Sequence, residues 1–269
     1  MNSSIMFLGT GGDSLVVGKQ IRASGGIIFQ YGKTIFHIDP GPGALVRTKQ
    51  YGINPREITA VLVSHNHLNH CSDVNAMLSA MTYSGIDKRG ILITDEETLN
   101  GSPNEKPMIT NYHKKMVERF IPLKPGMRIG INDVNIVATP AKHTDTSIGF
   151  KFYTEKFVVS YTGDTDYSKE VVDAHKDSDV IIINCKYPLE LNQNGHMNSE
   201  DVVKFLEKTK PKLAILTHFG IKMLDADPIY EAREIHKRTQ SQVIAAKDGM
   251  QVNPLSYTAS LNQKKLDSF

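Results

Sequence analysis

The chain runs to 269 residues, 40% hydrophobic and 22% charged, with a formal net charge of +2. This is the composition of an ordinary soluble globular protein with ample side chains for a core. It offers duplex nucleic acid no basic stripe beyond Lys204–Lys212, which reads as a solvated helix end. Two cysteines, Cys71 and Cys185, are too few for a disulfide framework, which fits a reducing cytoplasm. Both lie near apolar runs and read as small core residues, with a ligand role left open for Cys71. Met1–Gly12 lacks the basic flank and long apolar segment of a signal peptide. No stretch approaches the roughly 20 apolar residues of a membrane span. The expectation is a cytoplasmic protein with no membrane partner.

In chain order, Ile5–Leu8 is expected as a strand leading into Gly9-Thr10-Gly11-Gly12. Gly26–Tyr31 and Thr34–Ile38 flank Gly32-Lys33, a hairpin signal. Asp39-Pro40-Gly41-Pro42-Gly43 then breaks the chain, and a short helix is expected over Ala44–Gln50. Ile58–Val63 has the apolar, β-branched character of a buried strand. After it, Val74, Met77, Leu78 and Met81 fall at i, i+3, i+4 and i+7, the apolar face of a helix that Ser72 or Asp73 can cap. Residues 100–111 read as a surface loop; Phe120–Leu123, Met127–Ile131 and Val134–Thr139 resume a β pattern.

Ile148–Tyr153 and Phe157–Tyr161 are expected as a strand pair around Thr154-Glu155-Lys156, and Val180–Ile183 as a central strand. Asn198 or Ser199 opens a helix with Val202, Val203 and Leu206 on its core face. Leu213–Leu216 is a buried strand, Asp227-Pro228 starts another helix, and Val243–Ala246 looks like the last strand. The tail after Pro254 is expected to be peripheral. No period recurs and no linker divides the chain. The reading is one domain, residues 1–269, of two β-rich halves that each end in strand–helix units.

The chemistry gathers at Ser64-His65-Asn66-His67-Leu68-Asn69-His70, where three histidines leave the mouth of one strand. Imidazole is the commonest side-chain ligand for zinc and its neighbours. Further candidates sit at other strand ends, where open sheets tend to place function: His143 after Val134–Thr139, Asp164 after the hairpin, and His218 after Leu213–Leu216. Each alone has a plain structural reading, and Gly-Asp-Thr is also an ordinary turn.

Their order resembles the metallo-β-lactamase fold superfamily, whose signature H-x-H-x-D-H is followed by His, Asp and His. The matching positions here are His65, His67, Asn69, His70, His143, Asp164 and His218. The flanks Phe7-Leu8-Gly9-Thr10-Gly11-Gly12, Ser24-Gly25-Gly26 and Ile38-Asp39-Pro40-Gly41-Pro42-Gly43 resemble the ribonuclease Z and cyclic-phosphodiesterase branch. The resemblance covers nearly the whole chain. It implies a four-layer αβ/βα sandwich and a metal-dependent hydrolase holding one or two Zn2+ ions, or Mn2+ or Fe. One metal would take His65, His67 and His143, the second His70 and His218, with Asp164 bridging. The implied reaction is attack of a metal-bound hydroxide on a small-molecule or nucleic-acid phosphodiester, and a homodimer would match the relatives. Lactone, ester or thioester hydrolysis on the same scaffold, or a catalytically degenerate binding or scaffold protein, are the alternative readings.

Two stretches depart from the family and one further histidine resembles it. Asn69 stands where the family has aspartate; its amide is uncharged, ligates weakly and cannot act as a general base. A weakened second metal is expected, and a native altered enzyme, a degraded binding protein and an engineered substitution all remain open. His196 resembles the histidine before a helix in ribonuclease Z, which there lies near the scissile phosphate and can assist the leaving oxygen. The His-Glu-Ala-Thr stretch of that family would fall at Asn184-Cys185-Lys186-Tyr187, and no long tRNA-gripping arm is evident, so tRNA processing is disfavoured. Gly9–Gly12 reads as a tight turn beside the metals and Asp39 as a partner orienting a ligand histidine. His37, His113, His175 and His236 fit no motif. Lys186 and Tyr187 are candidates to line the pocket.

Overall fold

A computed structural model describes residues 2–189, 191 and 193–258. Its strands are β1 (Ser3–Phe7), β2 (Ile27–Tyr31), β3 (Thr34–Ile38), β4 (Ala60–Val63), β5 (Ile91–Thr94), β6 (Arg119–Pro122), β7 (Arg128–Ile131) and β8 (Val134–Pro140). They continue as β9 (Ile148–Tyr153), β10 (Val158–Tyr161), β11 (Val180–Tyr187), β12 (Met197–Asn198), β13 (Leu213–Thr217), β14 (Gln242–Ala245) and β15 (Gln251–Val252). One sheet has the order β15-β1-β2-β3-β4-β5-β6, the other β14-β13-β11-β10-β9-β8-β7 with β12 beside β11.

The two sheets face each other across an apolar core in which Phe29 lies 5.1 Å, edge to face, from Phe152. Val74, Met77, Leu78 and Met81 press one helix onto the outer face of the first sheet. Val202, Val203, Leu206 and Ile235 press two others onto the outer face of the second. Alternating strand side chains serve both interfaces, so the strands read as continuous apolar runs. The result is the four-layer αβ/βα sandwich expected from the sequence.

Local chemistry sets many of the boundaries. Gly32 takes φ +62° in the two-residue turn joining β2 to β3, a conformation that costs glycine no steric strain. Asn198 caps its helix through Asp201 N, with Asp201 returning the bond in a capping box, and Asp227 precedes Pro228 at the start of the next. Asp73 occupies the cap position of Val74–Thr82 but accepts from Leu45 N instead of capping.

Several expectations need correction. β14 is not the last strand: β15 follows and pairs antiparallel with β1, closing the first sheet from the far end of the chain. Its two residues carry too little pattern to announce a strand, and the long-range pairing supplies the stability. β5 and the helix Lys169–His175 also escape the sequence reading, the latter despite a Ser168 cap. β11 runs to Tyr187, well past Ile183. Leu255 and Tyr257 pack against the core, so the segment after Pro254 is not wholly peripheral; 259–269 lie outside the described residues. Among the described residues no helix is long and apolar enough to cross a membrane.

Two buried histidines away from the histidine cluster make stability depend on pH. Burial pushes His37 down to about 4 and His175 down to about 3. His37 Nε2 at least meets Gly25 O, whereas among the described residues neither ring nitrogen of His175 has a hydrogen-bond partner. Above the ordinary value of 6.5 both are neutral, folded or unfolded, and nothing is lost. As pH falls below it, the unfolded chain takes up protons the folded one refuses. Stability should then drop by up to about 1.4 kcal/mol per pH unit for each group, until the folded pKa is reached. His175→Leu removes two unsatisfied polar atoms and should raise stability at pH 5 by about 1–3 kcal/mol. Urea unfolding at pH 7 and pH 5 measures both effects; an unchanged acid sensitivity in the variant would count against this assignment.

Candidate metal centre

The site forms where the C-terminal ends of β4, β8, β10, β11 and β13 meet, along one edge of the sandwich. β4 delivers Ser64 and His65, and the following turn sets His67 at the N-cap of the short helix Leu68–Cys71, which carries Asn69 and His70. His143 follows β8, Asp164 follows β10, and His218 follows β13. Asp39 and His218 both take left-handed backbone conformations, at φ +50° and +63°. Such strain in non-glycine residues persists only where the surroundings over-determine it. Gly12 lets the β1 turn press against His218: a Cβ there would meet His218 O at 2.2 Å and Nδ1 at 2.4 Å.

Two groups of ligand atoms converge, His65, His67, His143 and Asp164 in one and His70, Asp164 and His218 in the other, within 4.8 Å of one another in each. They share Asp164, whose carboxylate lies 3.2 Å from His70 Nε2 and 3.2 Å from His218 Nε2. The structure brings together the residues that the resemblance grouped. Cys71 joins neither group; it is buried, its thiol pushed up to about 12 by burial.

Hydrogen bonding tests whether a cation fits. Asp39 can only accept, so the proton on His70 sits on Nδ1, 2.9 Å from Asp39 Oδ2. Ser64 gives its one hydroxyl proton to Asp39, so its oxygen accepts from His65 Nδ1. His143 Nδ1 donates to Gly195 O. In each neutral ring Nε2 is then a bare lone pair. Yet His70 Nε2 lies 3.0 Å from His218 Nε2, while His65 Nε2 and His143 Nε2 lie 3.0 and 2.9 Å from His67 Nδ1. Three Nε2 lone pairs so fixed, converging with the rings of His67 and His218 on one buried carboxylate, form a donor set that fits divalent metal.

Charge points the same way. Burial works against the Asp164 charge, but His218 and His70 outweigh it and hold the carboxyl well below its usual range. Burial also pushes His70 down, but Asp164 and Asp39 more than reverse this, to about 10. That corner of the site demands positive charge, which a metal ion supplies as well as a proton does. Desolvation pushes His65, His67, His143 and His218 down, towards the neutral form that ligation requires.

Asn69 reaches the second group, its Nδ2 3.1 Å from His218 Nε2; turning the amide over presents the carbonyl oxygen, a weak neutral ligand. His196 joins the site as anticipated, its Nδ1 3.6 Å from Asp164 Oδ2, on a loop fixed by Asp166 accepting from Gly195 N and His196 N. Lys186 lines the cleft; Tyr187 does not, and bonds Gln193 instead. The sequence reading missed Asp166, Asn184 and Tyr161. Asn184 donates to Asp164 Oδ1 at 2.7 Å and Tyr161 OH to Asp39 Oδ2 at 2.7 Å. The signal for Tyr161 was its place three residues before Asp164. Replacing Asp39 by Ala should free the rings of His70 and His65 and weaken metal binding about 10–100-fold. Competition with a chromophoric chelator checks this, and unaltered affinity would show that Asp39 does not orient the ligands.

The family profile described as "Beta-lactamase superfamily domain" matches residues 34–219. An uncharacterized protein of Methanocaldococcus jannaschii, MJ1374, is 31% identical over 95% of this chain and 97% of its own length. Ribonuclease Z of Methanopyrus kandleri is 20% identical over 91% of this chain and 96% of its own. Among solved structures, the metallo-β-lactamase fold protein YhfI of Bacillus subtilis superposes with a TM-score of 0.77 at 19% identity, covering 93% of this chain and 98% of that one. By sequence, by fold and by a donor set suited to divalent cations, the chain belongs to the β-lactamase superfamily, a family of metal-dependent hydrolases.

Proposed function

We propose that the protein is a metal-dependent phosphodiesterase, with His65, His67 and His143 holding one ion, His70 and His218 a second, and Asp164 between them. Zn2+ is the ion that best suits a set of five imidazoles and one carboxylate. When bound, such a metal supplies Lewis acidity and a water acidic enough to lose its proton near neutral pH. Residues 1–269 act as one domain in this reading, since β15 closes the first sheet with β1.

The observation that carries the proposal is the position of His196. Its ring lies beside Asp164 but belongs to neither ligand group, and it faces a cleft of about 540 Å³ lined also by Gly12, His67, Asn69 and Lys186. A polar group held next to the reacting centre without ligating is placed to hydrogen bond the oxygen that leaves. Asp39 and Gly195 O hold the ligand imidazoles in one tautomer, and Tyr161 and Ser64 fix Asp39. Asn69 moves no proton; its part is to leave the centre one charge more positive than an aspartate would.

Metal analysis and a bis(4-nitrophenyl) phosphate assay, run on this chain and on Asn69→Asp, test the reading, with simple esters and thioesters as the comparison panel. Hydrolysis of the diester above the esters is expected. Asn69→Asp should tighten the second metal and raise turnover by about 10-fold or more, the scale of a positioned acid–base group. A preparation that binds no more than trace Zn, Mn or Fe, or that favours esters, would sink it.

A further inference from the structure

Among the described residues Lys186 is the one lysine or arginine lining the cleft, and its position is built. It alternates with Asn184 along β11, so both face the centre while Cys185 turns into the opposite core. Its stem runs past Gly220, where a Cβ would come 3.2 Å from Lys186 Cγ and 2.8 Å from its carbonyl oxygen. Its Nζ lies 3.0 Å from His196 Nε2. An ammonium only donates, so the imidazole accepts. Asp164 and Asp13 line the same cleft and favour its charge, but among the described residues no carboxylate forms an ion pair with it. A partly buried cation hydrogen bonded only to a neutral ring keeps the capacity to bind an anion. With Asn69 uncharged as well, the centre is two charges more positive than one with aspartate at 69 and a neutral residue at 186.

The surroundings have the opposite sign. A hollow of about 520 Å³ continues past His67 and is lined by Glu97, Glu105 and Asp145 with no lysine or arginine. Another, about 250 Å³, continues past His196 and carries Asp166 and Asp201 beside Lys142, with Lys204 3.5 Å from Asp201. A nucleic-acid strand threading the centre would bring one negative charge per nucleotide into these carboxylates, where strand-binding proteins place lysine and arginine.

We infer that the substrate is a small phosphate ester whose negative charge is confined to the reacting phosphate, that Lys186 and His196 together receive that phosphate's oxygens, and that the acidic hollows on either side exclude nucleic-acid strands. The inference rests on the phosphodiesterase reading for the identity of the reaction, but the anion site stands or falls by itself.

The test uses the full chain loaded with Zn2+, its Lys186→Met and Lys186→Arg variants, and the double variant E105K/D145K. Calorimetry with inorganic phosphate reads the anion site directly. Lys186→Met should weaken phosphate binding and raise KM for bis(4-nitrophenyl) phosphate about 10-fold or more, the usual worth of a charged hydrogen bond. Zinc content should not change, and Lys186→Arg should restore most of the loss, which a merely structural lysine would not predict. A fluorescein-labelled single-stranded RNA should not bind the native chain at low salt and should bind E105K/D145K. Phosphate binding untouched by Lys186→Met, or salt-sensitive RNA binding by the native chain, would overturn the inference. Phosphate binding that depends on Lys186 in a protein that hydrolyses no diester would uphold the anion site and defeat the phosphodiesterase reading. Diester turnover indifferent to Lys186→Met would do the reverse.

Discussion

The buried carboxylate of Asp39 is the joint on which the head of the molecule turns. It is 4% exposed, and its two oxygens accept from Ser64 N, Ser64 Oγ, His70 Nδ1 and Tyr161 OH at 2.7–2.9 Å. These partners come from both sheets and from the turn after β4, so one side chain ties the layers together where ligands must converge. A carboxylate taken out of water is costly unless such donors surround it. The left-handed backbone at Asp39 is tolerated in return. Loss of any one donor loosens the others, because they share the same two oxygens.

From that joint the tautomers follow in sequence. Asp39 fixes His70 directly and His65 through the Ser64 hydroxyl, while Gly195 O fixes His143. Each ring is thereby made to present the nitrogen that faces the centre. The scaffold spends its polar groups on orienting imidazoles, and the glycines of the β1 turn allow the backbone close enough to seat His218.

Electrostatics sets the character of the cleft. Asn69 removes a negative charge from the centre and Lys186 adds a positive one beside it, while carboxylates line the flanking hollows. A positive focus inside a negative rim favours a compact anion over a long one. Asn69 stands at the aspartate of the ribonuclease Z pattern, and the missing His-Glu pair falls at Asn184 and Cys185, just before Lys186.

Much of this was legible in the sequence because local rules governed it. His65, His67 and His70 share one strand exit, Asp164 and His218 each follow an apolar run that reads as a strand, and His143 follows the β pattern of Val134–Thr139. The sandwich follows from those positions and from the family resemblance, and so do the proposed ligand groups and the proposed part of His196. What the sequence could not hold was whatever depends on residues brought together from afar. β15 is a strand only because β1 lies beside it, Tyr161 is a site residue only because Asp39 is 122 positions away in the chain and 2.7 Å away in space. The alternation of β11 offered Lys186 to the cleft or to the core; the packing of Cys185 among apolar side chains decided which. Local pattern fixes what an element is and which residues share a face, and the sign and shape of a cleft are decided only when separate faces meet.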